Sequence, residues 1–265
     1  MTIWTLALNT LNGFLRNKIL ILFALLFLGM LLLMLSPILL MKAMKNAGSP
    51  AQAQNMIFGL ISGVMTFATA FGSFISIWAA ADTVSREMKS GTILAVMARP
   101  IRRWEYLLGK YLGVQMLMVL YVALMLILSY VLAAIAGETI FSSPIVLIVY
   151  PLVRYAIYSA MSLLLVTWLH PFVAMGVTIV IGILAHAATG SGLQFLPEWM
   201  RAALAYVLPS TNLLSEVQFL TLTRTSLKPA PIADHLTALA YGLDYAAILF
   251  LLAAWAFRKR RLTGD

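Results

Sequence analysis

Long apolar runs alternate with short polar stretches along this chain, and the charged residues are confined almost entirely to the polar ones. A helix that crosses the hydrocarbon of a bilayer needs about 20 mostly apolar residues at 1.5 Å rise each. Ile19 to Met41, Met56 to Ala81 and Tyr111 to Gly137 each supply such a run without a charge. Ile145 to Leu169 is interrupted by Arg154, which costs about 2.5 to 3.5 kcal/mol near the bilayer centre. The 13 Leu, Ile and Val residues of that run offset it at about 0.3 to 0.6 kcal/mol each. Pro171, after His170, stops one helix and opens the next, giving a tight turn and a fifth span over Phe172 to Ala188. A mixed segment, 190–236, holds Pro197, Pro209, Pro229 and Pro231, and Thr237 to Phe257 then supplies a sixth run. The pattern predicts an all-α integral membrane protein with six transmembrane helices.

Residues 1–18 precede the first span. Trp4, Leu8, Leu11 and Leu15 form one helical stripe, and Thr5, Asn9, Asn12 and Arg16 the opposite one. This predicts an amphipathic helix lying in the membrane interface. A cleaved signal peptide would need an early basic region and a small-residue cleavage site, and neither is present. Lys and Arg counts set the orientation, because short cytoplasmic loops hold the excess. With a cytoplasmic N-terminus, 12 basic residues fall inside, among them Arg16, Lys18, Lys110 and the cluster Arg258 to Arg261. Five fall outside: Lys42, Lys45, Arg201, Arg224 and Lys228. An even number of spans returns the C-terminus to the same side.

Composition agrees with one transmembrane domain over 1–265. The chain is 62% hydrophobic and 10% charged with a mean hydropathy of +0.96, against about 25% charged residues in a soluble domain. No soluble catalytic domain fits in what remains. The absence of cysteine removes disulfides, thiolate metal sites and cysteine nucleophiles. A net charge of +9 does not imply nucleic acid, since the basic groups edge the apolar runs rather than forming a basic domain.

The most informative segment is 82–110, between the second and third spans. Gly91 and Thr92 can end one short helix and begin another, and Ile93, Leu94, Met97 and Ile101 make an apolar stripe beside basic groups. From the residues alone, two readings stand: a docking element under the membrane, or a solvated loop that fixes topology. In order, the segment offers Glu87, Gly91-Thr92, Ile93-Leu94, Pro100, Arg102 or Arg103, and Gly109-Lys110. In this order and spacing the chain resembles the permeases of type-2 ABC transporters, the ABC-2 class. The likeness extends along nearly the whole chain, through the interfacial helix, the six spans and the extended segment before the sixth.

The resemblance implies a permease subunit of an ATP-driven exporter in the plasma (inner) membrane, pairing with a second copy or a paralogue around a pathway. Separate ABC ATPase subunits would dock on the cytoplasmic loops and hold ATP and Mg, with no cofactor or metal bound by this chain. No Gly-x-x-x-x-Gly-Lys-Ser/Thr phosphate cradle occurs in the sequence. By the same resemblance, a coupling helix would present Glu87, Met88, Lys89, Gly91, Thr92, Arg99, Pro100, Arg102 and Arg103 to the ATPase, with a smaller contact at His170. An outer helical hairpin within 190–236 would place Trp199, Tyr206 and Pro209 at a gate; a plain surface loop is the other reading.

Further candidates lie within the membrane. Arg154 is either a substrate contact or a structural group that pairs or snorkels. Gly59-x-x-x-Gly63, continued by Thr66, Ala70 and Ser73, either lines a dimer seam and pathway or packs within one subunit. His186 and Asp244 sit toward the outer span ends. A secondary ion-coupled transporter or a channel subunit is the alternative class, but the sequence shows no two-half repeat or matched mid-span ionisable pair. The 15 methionines lack nearby His or Cys, which makes them flexible apolar filler rather than a copper path.

Overall fold

The computed structural model describes residues 3–46, 50–89, 102–136, 144–189, 197–214 and 232–259. Among them there is no strand. The helices are α1 (Ile3–Leu15), α2 (Lys18–Asn46), α3 (Pro50–Lys89), α4 (Arg103–Ala136), α5 (Pro144–Val166), α6 (Pro171–Thr189), α7 (Glu198–Val207) and α8 (Ile232–Lys259), with a 3-10 turn at Thr211–Leu214.

Among the described residues, four helices are long and apolar enough to cross a membrane, over Ser62–Glu87, Arg103–Val131, Leu147–Val166 and Ala233–Lys259. The pair formed by Ile3–Leu15 and Lys18–Gly29, bent by 60°, makes a fifth if it is counted as one span. Pro171–Ala187 is a shorter apolar helix. At 40 residues, α3 is about 60 Å long at 1.5 Å per residue, twice the hydrocarbon thickness of about 30 Å. Its length therefore exceeds what the hydrocarbon alone requires.

α5 lies at the centre, packed on α3 and α8 and also on α4 and α6. Two of its links to α3 are serine hydrogen bonds. Ser76 Oγ donates to the Tyr155 carbonyl at 2.8 Å, and Ser162 Oγ donates back to the Ile77 carbonyl at 2.9 Å. Such hydrogen bonds average about 0.6 kcal/mol within a membrane, so a series of them adds cohesion without demanding one fixed residue. Tyr155 and Tyr121 press against Gly72, where an added Cβ would lie 2.3 Å from the Tyr155 hydroxyl oxygen and 2.5 Å from Tyr121 Cε1.

α1 seats on the protein through residues outside its Trp4, Leu8, Leu11 and Leu15 stripe. Leu6, Ala7, Thr10 and Phe14 are buried, whereas Trp4, Leu8 and Leu15 face outward. The contact is close because α4 offers glycine: a Cβ at Gly109 would lie 2.6 Å from Leu6 Cβ, and one at Gly113 2.6 Å from Thr10 Cβ. α1 thus has an outward apolar face, a polar edge and a small-residue face seated on α4.

Candidate functional site

The polar segment 82–110 is helical at both ends. Residues 82–89 complete α3, and 103–110 open α4. Arg102 starts α4 as its cap: its N–H donates to Glu105 Oε2 at 3.1 Å, and its carbonyl accepts from the Tyr106 N–H at 3.2 Å. A carboxylate three residues into a helix that reaches back to the cap satisfies an otherwise orphaned donor. Gly91, Thr92, Arg99 and Pro100 lie outside the described residues. Met88 and Lys89 fall on the last turn of α3.

Glu87 points inward. Its Oε1 forms an ion pair with Lys110 Nζ, and its Oε2 accepts from the Tyr106 hydroxyl at 2.5 Å. The Lys110 side chain is only 7% exposed and that of Glu87 25%, so water competes little with the pair. Removing one partner of a buried pair costs on the order of 3 to 5 kcal/mol, because the other charge is left uncompensated. Tyr106 also stacks on Phe257 near the end of α8, with ring centroids 5.9 Å apart. Arg103 Nη1 donates to the Arg258 carbonyl at 2.9 Å, capping the C-terminus of α8, where a cation suits both the free carbonyls and the helix dipole. The ends of α3, α4 and α8 are thereby joined through five side chains and one carbonyl. Beside them, Asn9, Phe14, Asp82 and Arg86 help to line a mixed crevice of about 100 Å³ next to α1.

His170 sits in the turn between α5 and α6 on this same end. Its ring is exposed, and Nδ1 accepts from the Phe172 N–H at 3.4 Å. Trp168 and Phe172 flank it, 70% and 77% exposed.

At the opposite end, α7 and the 3-10 turn form a corner anchored by side chains of α5 and α8. Arg154 Nη2 donates to the Leu214 carbonyl at 2.5 Å. The Tyr245 hydroxyl donates to the Val207 carbonyl at 2.9 Å, and the Ser210 N–H donates to the Tyr241 hydroxyl at 2.9 Å. Leu214 is fully buried, and its Cδ1 is 3.2 Å from where a Cβ on Gly242 would stand. Trp199 is exposed and Pro209 buried at the corner, while Tyr206 lies in α7.

Residues 4–262 match a family described as ABC-2 family transporter protein. The chain belongs to the ABC-2 transporter family. No curated protein shows a significant match. Membership makes this chain a multi-pass membrane subunit of an ABC transporter, and it implies association with ABC ATPases.

Within this ABC-2 subunit, the stripe of Gly59, Gly63, Thr66 and Ala70 is exposed along α3. A Cβ at Gly59 or Gly63 would meet nothing within 4 Å, so among the described residues the stripe does not pack within the subunit. Arg154 bonds the Leu214 carbonyl at the corner formed by α7 and the 3-10 turn. Among the described residues no group of three or more His, Asp or Glu could hold a metal. Tyr106, Phe257, Tyr241 and Tyr245 were not singled out by sequence, since aromatic residues in apolar runs read as core. The Gly109-x-x-x-Gly113 spacing was visible as a close-packing signal, but it was absorbed into the Gly-Lys motif.

Proposed function

We propose that this ABC-2 subunit is the permease of an ATP-driven exporter in the plasma (inner) membrane. Two such subunits enclose the pathway, and ABC ATPases bind ATP and Mg and dock on segment 82–110, with a smaller contact at His170. In this reading α2 and α6 span the bilayer together with α3, α4, α5 and α8, which gives six spans and cytoplasmic termini. The twelve-to-five distribution of basic residues supports that orientation.

The observation that carries the proposal is the linkage of Glu87 with Lys110 and Tyr106, joined by the Arg103–Arg258 cap. A push on residues 90–102 cannot be absorbed locally, because both flanking helices are clamped to each other and to α8. It passes instead into α3, whose exposed Gly59 to Ala70 stripe suits a close seam with a second subunit, and into α8. The other end of α8 holds Ser210 and Val207 through Tyr241 and Tyr245. Tilting α8 would therefore shift the outer corner, the natural position for a gate. Glu87 acts here as a strut, while Arg99 and Arg102 meet the ATPase.

The test is co-expression with a candidate ABC ATPase and purification of the pair in nanodiscs. Co-purification and permease-dependent ATP turnover, both lost in an Arg99→Ala, Arg102→Ala variant, support the proposal. A range of ATPases that neither bind nor respond to the wild-type chain would overturn it.

A further inference from the structure

At the elbow between α1 and α2 an apolar crevice of about 150 Å³ opens to the surface, lined by Leu15, Leu20, Phe23, Phe27, Phe71 and Leu124 among others. Its wall is aromatic: Phe27 stacks on Phe71 with centroids 5.9 Å apart, and Phe23 meets Phe71 edge-on at the same distance. Leu20 to Phe27 covers about 10 Å of α2 at 1.5 Å per residue, a slot running along the helix rather than across it. An apolar cavity of this kind holds no stable water and favours an apolar occupant.

The mouth of the slot is chemically different. Arg16, Asn17 and Lys18 lie between the lining residues Leu15 and Leu20. Arg16 and Lys18 are exposed, and the ion pairs among the described residues, Arg86 with Asp82 and Lys110 with Glu87, do not involve them. Asn17 caps α2, its Oδ1 accepting from the Ile19 N–H at 3.1 Å. Its Nδ2 is buried and has no hydrogen-bond partner among the described residues. Two exposed cations and the positive end of a 29-residue helix thus fall between the lining residues where an apolar slot begins, which is a match for a phosphate with a hydrocarbon tail.

We propose that the elbow binds an anionic glycerophospholipid of the adjacent leaflet, with an acyl chain in the slot and its phosphate against Arg16, Lys18 and the start of α2. The lipid would brace the 60° bend and so fix where α1 sits on Gly109 and Gly113. Phosphatidylcholine shares the tails and the phosphate but carries no net charge, which makes it the discriminating control.

The test uses the full-length chain released from detergent in native mass spectrometry, titrated with phosphatidylglycerol or phosphatidylcholine, and it needs no ATPase. Retained phosphatidylglycerol adducts are expected, with few from phosphatidylcholine. Arg16→Gln with Lys18→Gln should lower the phosphatidylglycerol adducts about thirtyfold, the scale expected for losing two cations at about 1 kcal/mol each at an anionic surface. Ala24→Phe, which fills the slot, should lower them as well. Equal retention of both lipids, or wild-type retention in the charge variant, overturns the proposal; that variant alters only exposed positions, so misfolding would not explain its result.

Discussion

The guanidinium of Arg154 reaches from the middle of α5 to the Leu214 carbonyl, 2.5 Å away. That carbonyl ends a 3-10 turn, so the charge that interrupts the fourth apolar run anchors this corner. A hydrogen bond from a charged donor contributes about 1.5 to 3 kcal/mol. Arg154→Met should therefore loosen 208–214, with faster backbone hydrogen exchange there and little change around Tyr106. Unchanged exchange at 208–214 would mean that Tyr241 and Tyr245 suffice.

The seat of α1 on α4 makes a sharper steric prediction. Gly113→Leu would drive a side chain into Thr10 and the Ala7 carbonyl, at 2.6 and 2.9 Å from the new Cβ. Overpacking of this kind costs about 1 to 3 kcal/mol, to be read as a lowered melting temperature in detergent. Gly63→Ala, with nothing within 4 Å, should stay within about 0.5 kcal/mol of wild type.

These two glycine pairs also mark what could be read from the sequence. Small-x-x-x-small spacing identifies a surface that permits close approach, but not which partner approaches. Gly59 and Gly63 drew attention and remain open, whereas Gly109 and Gly113 do the packing inside the subunit. The helical runs and the Pro171 turn were legible because hydropathy and proline act locally. The inner face of α1 was not, since Ala7 and Thr10 carry little apolar signal and their burial depends on a glycine a hundred residues away. Glu87 was legible as significant, but its direction was not, because pairing with Lys110 depends on how α3 and α4 meet.

A seam between copies along α3 can be tested directly because the chain has no cysteine. Gly59→Cys and Gly63→Cys should each give a disulfide-linked dimer on mild oxidation in membranes, as a close seam brings equivalent Cα atoms within about 7 Å. Ala160→Cys, at a fully buried position, should not. Monomer alone in both glycine variants would argue against this seam.

The Arg103 cap on α8 predicts a graded effect. Arg103→Lys keeps a charge near the Arg258 carbonyl and should stay close to wild type, while Arg103→Ala should lower stability by about 1 kcal/mol, the value of a cation at a helix C-terminus. Thermal unfolding with tryptophan fluorescence, sensitive to Trp255 on the same helix, would separate the two.

The central claim, that Glu87 and Lys110 transmit motion between the ATPase-facing segment and the membrane helices, is tested most directly by permease-dependent ATP turnover in a reconstituted complex. The account predicts that Glu87→Gln and Lys110→Met each retain the ATPase but lose most of the stimulation, and that Glu87→Lys with Lys110→Glu recovers part of it. Single variants that stimulate ATP turnover as well as the wild type would contradict it.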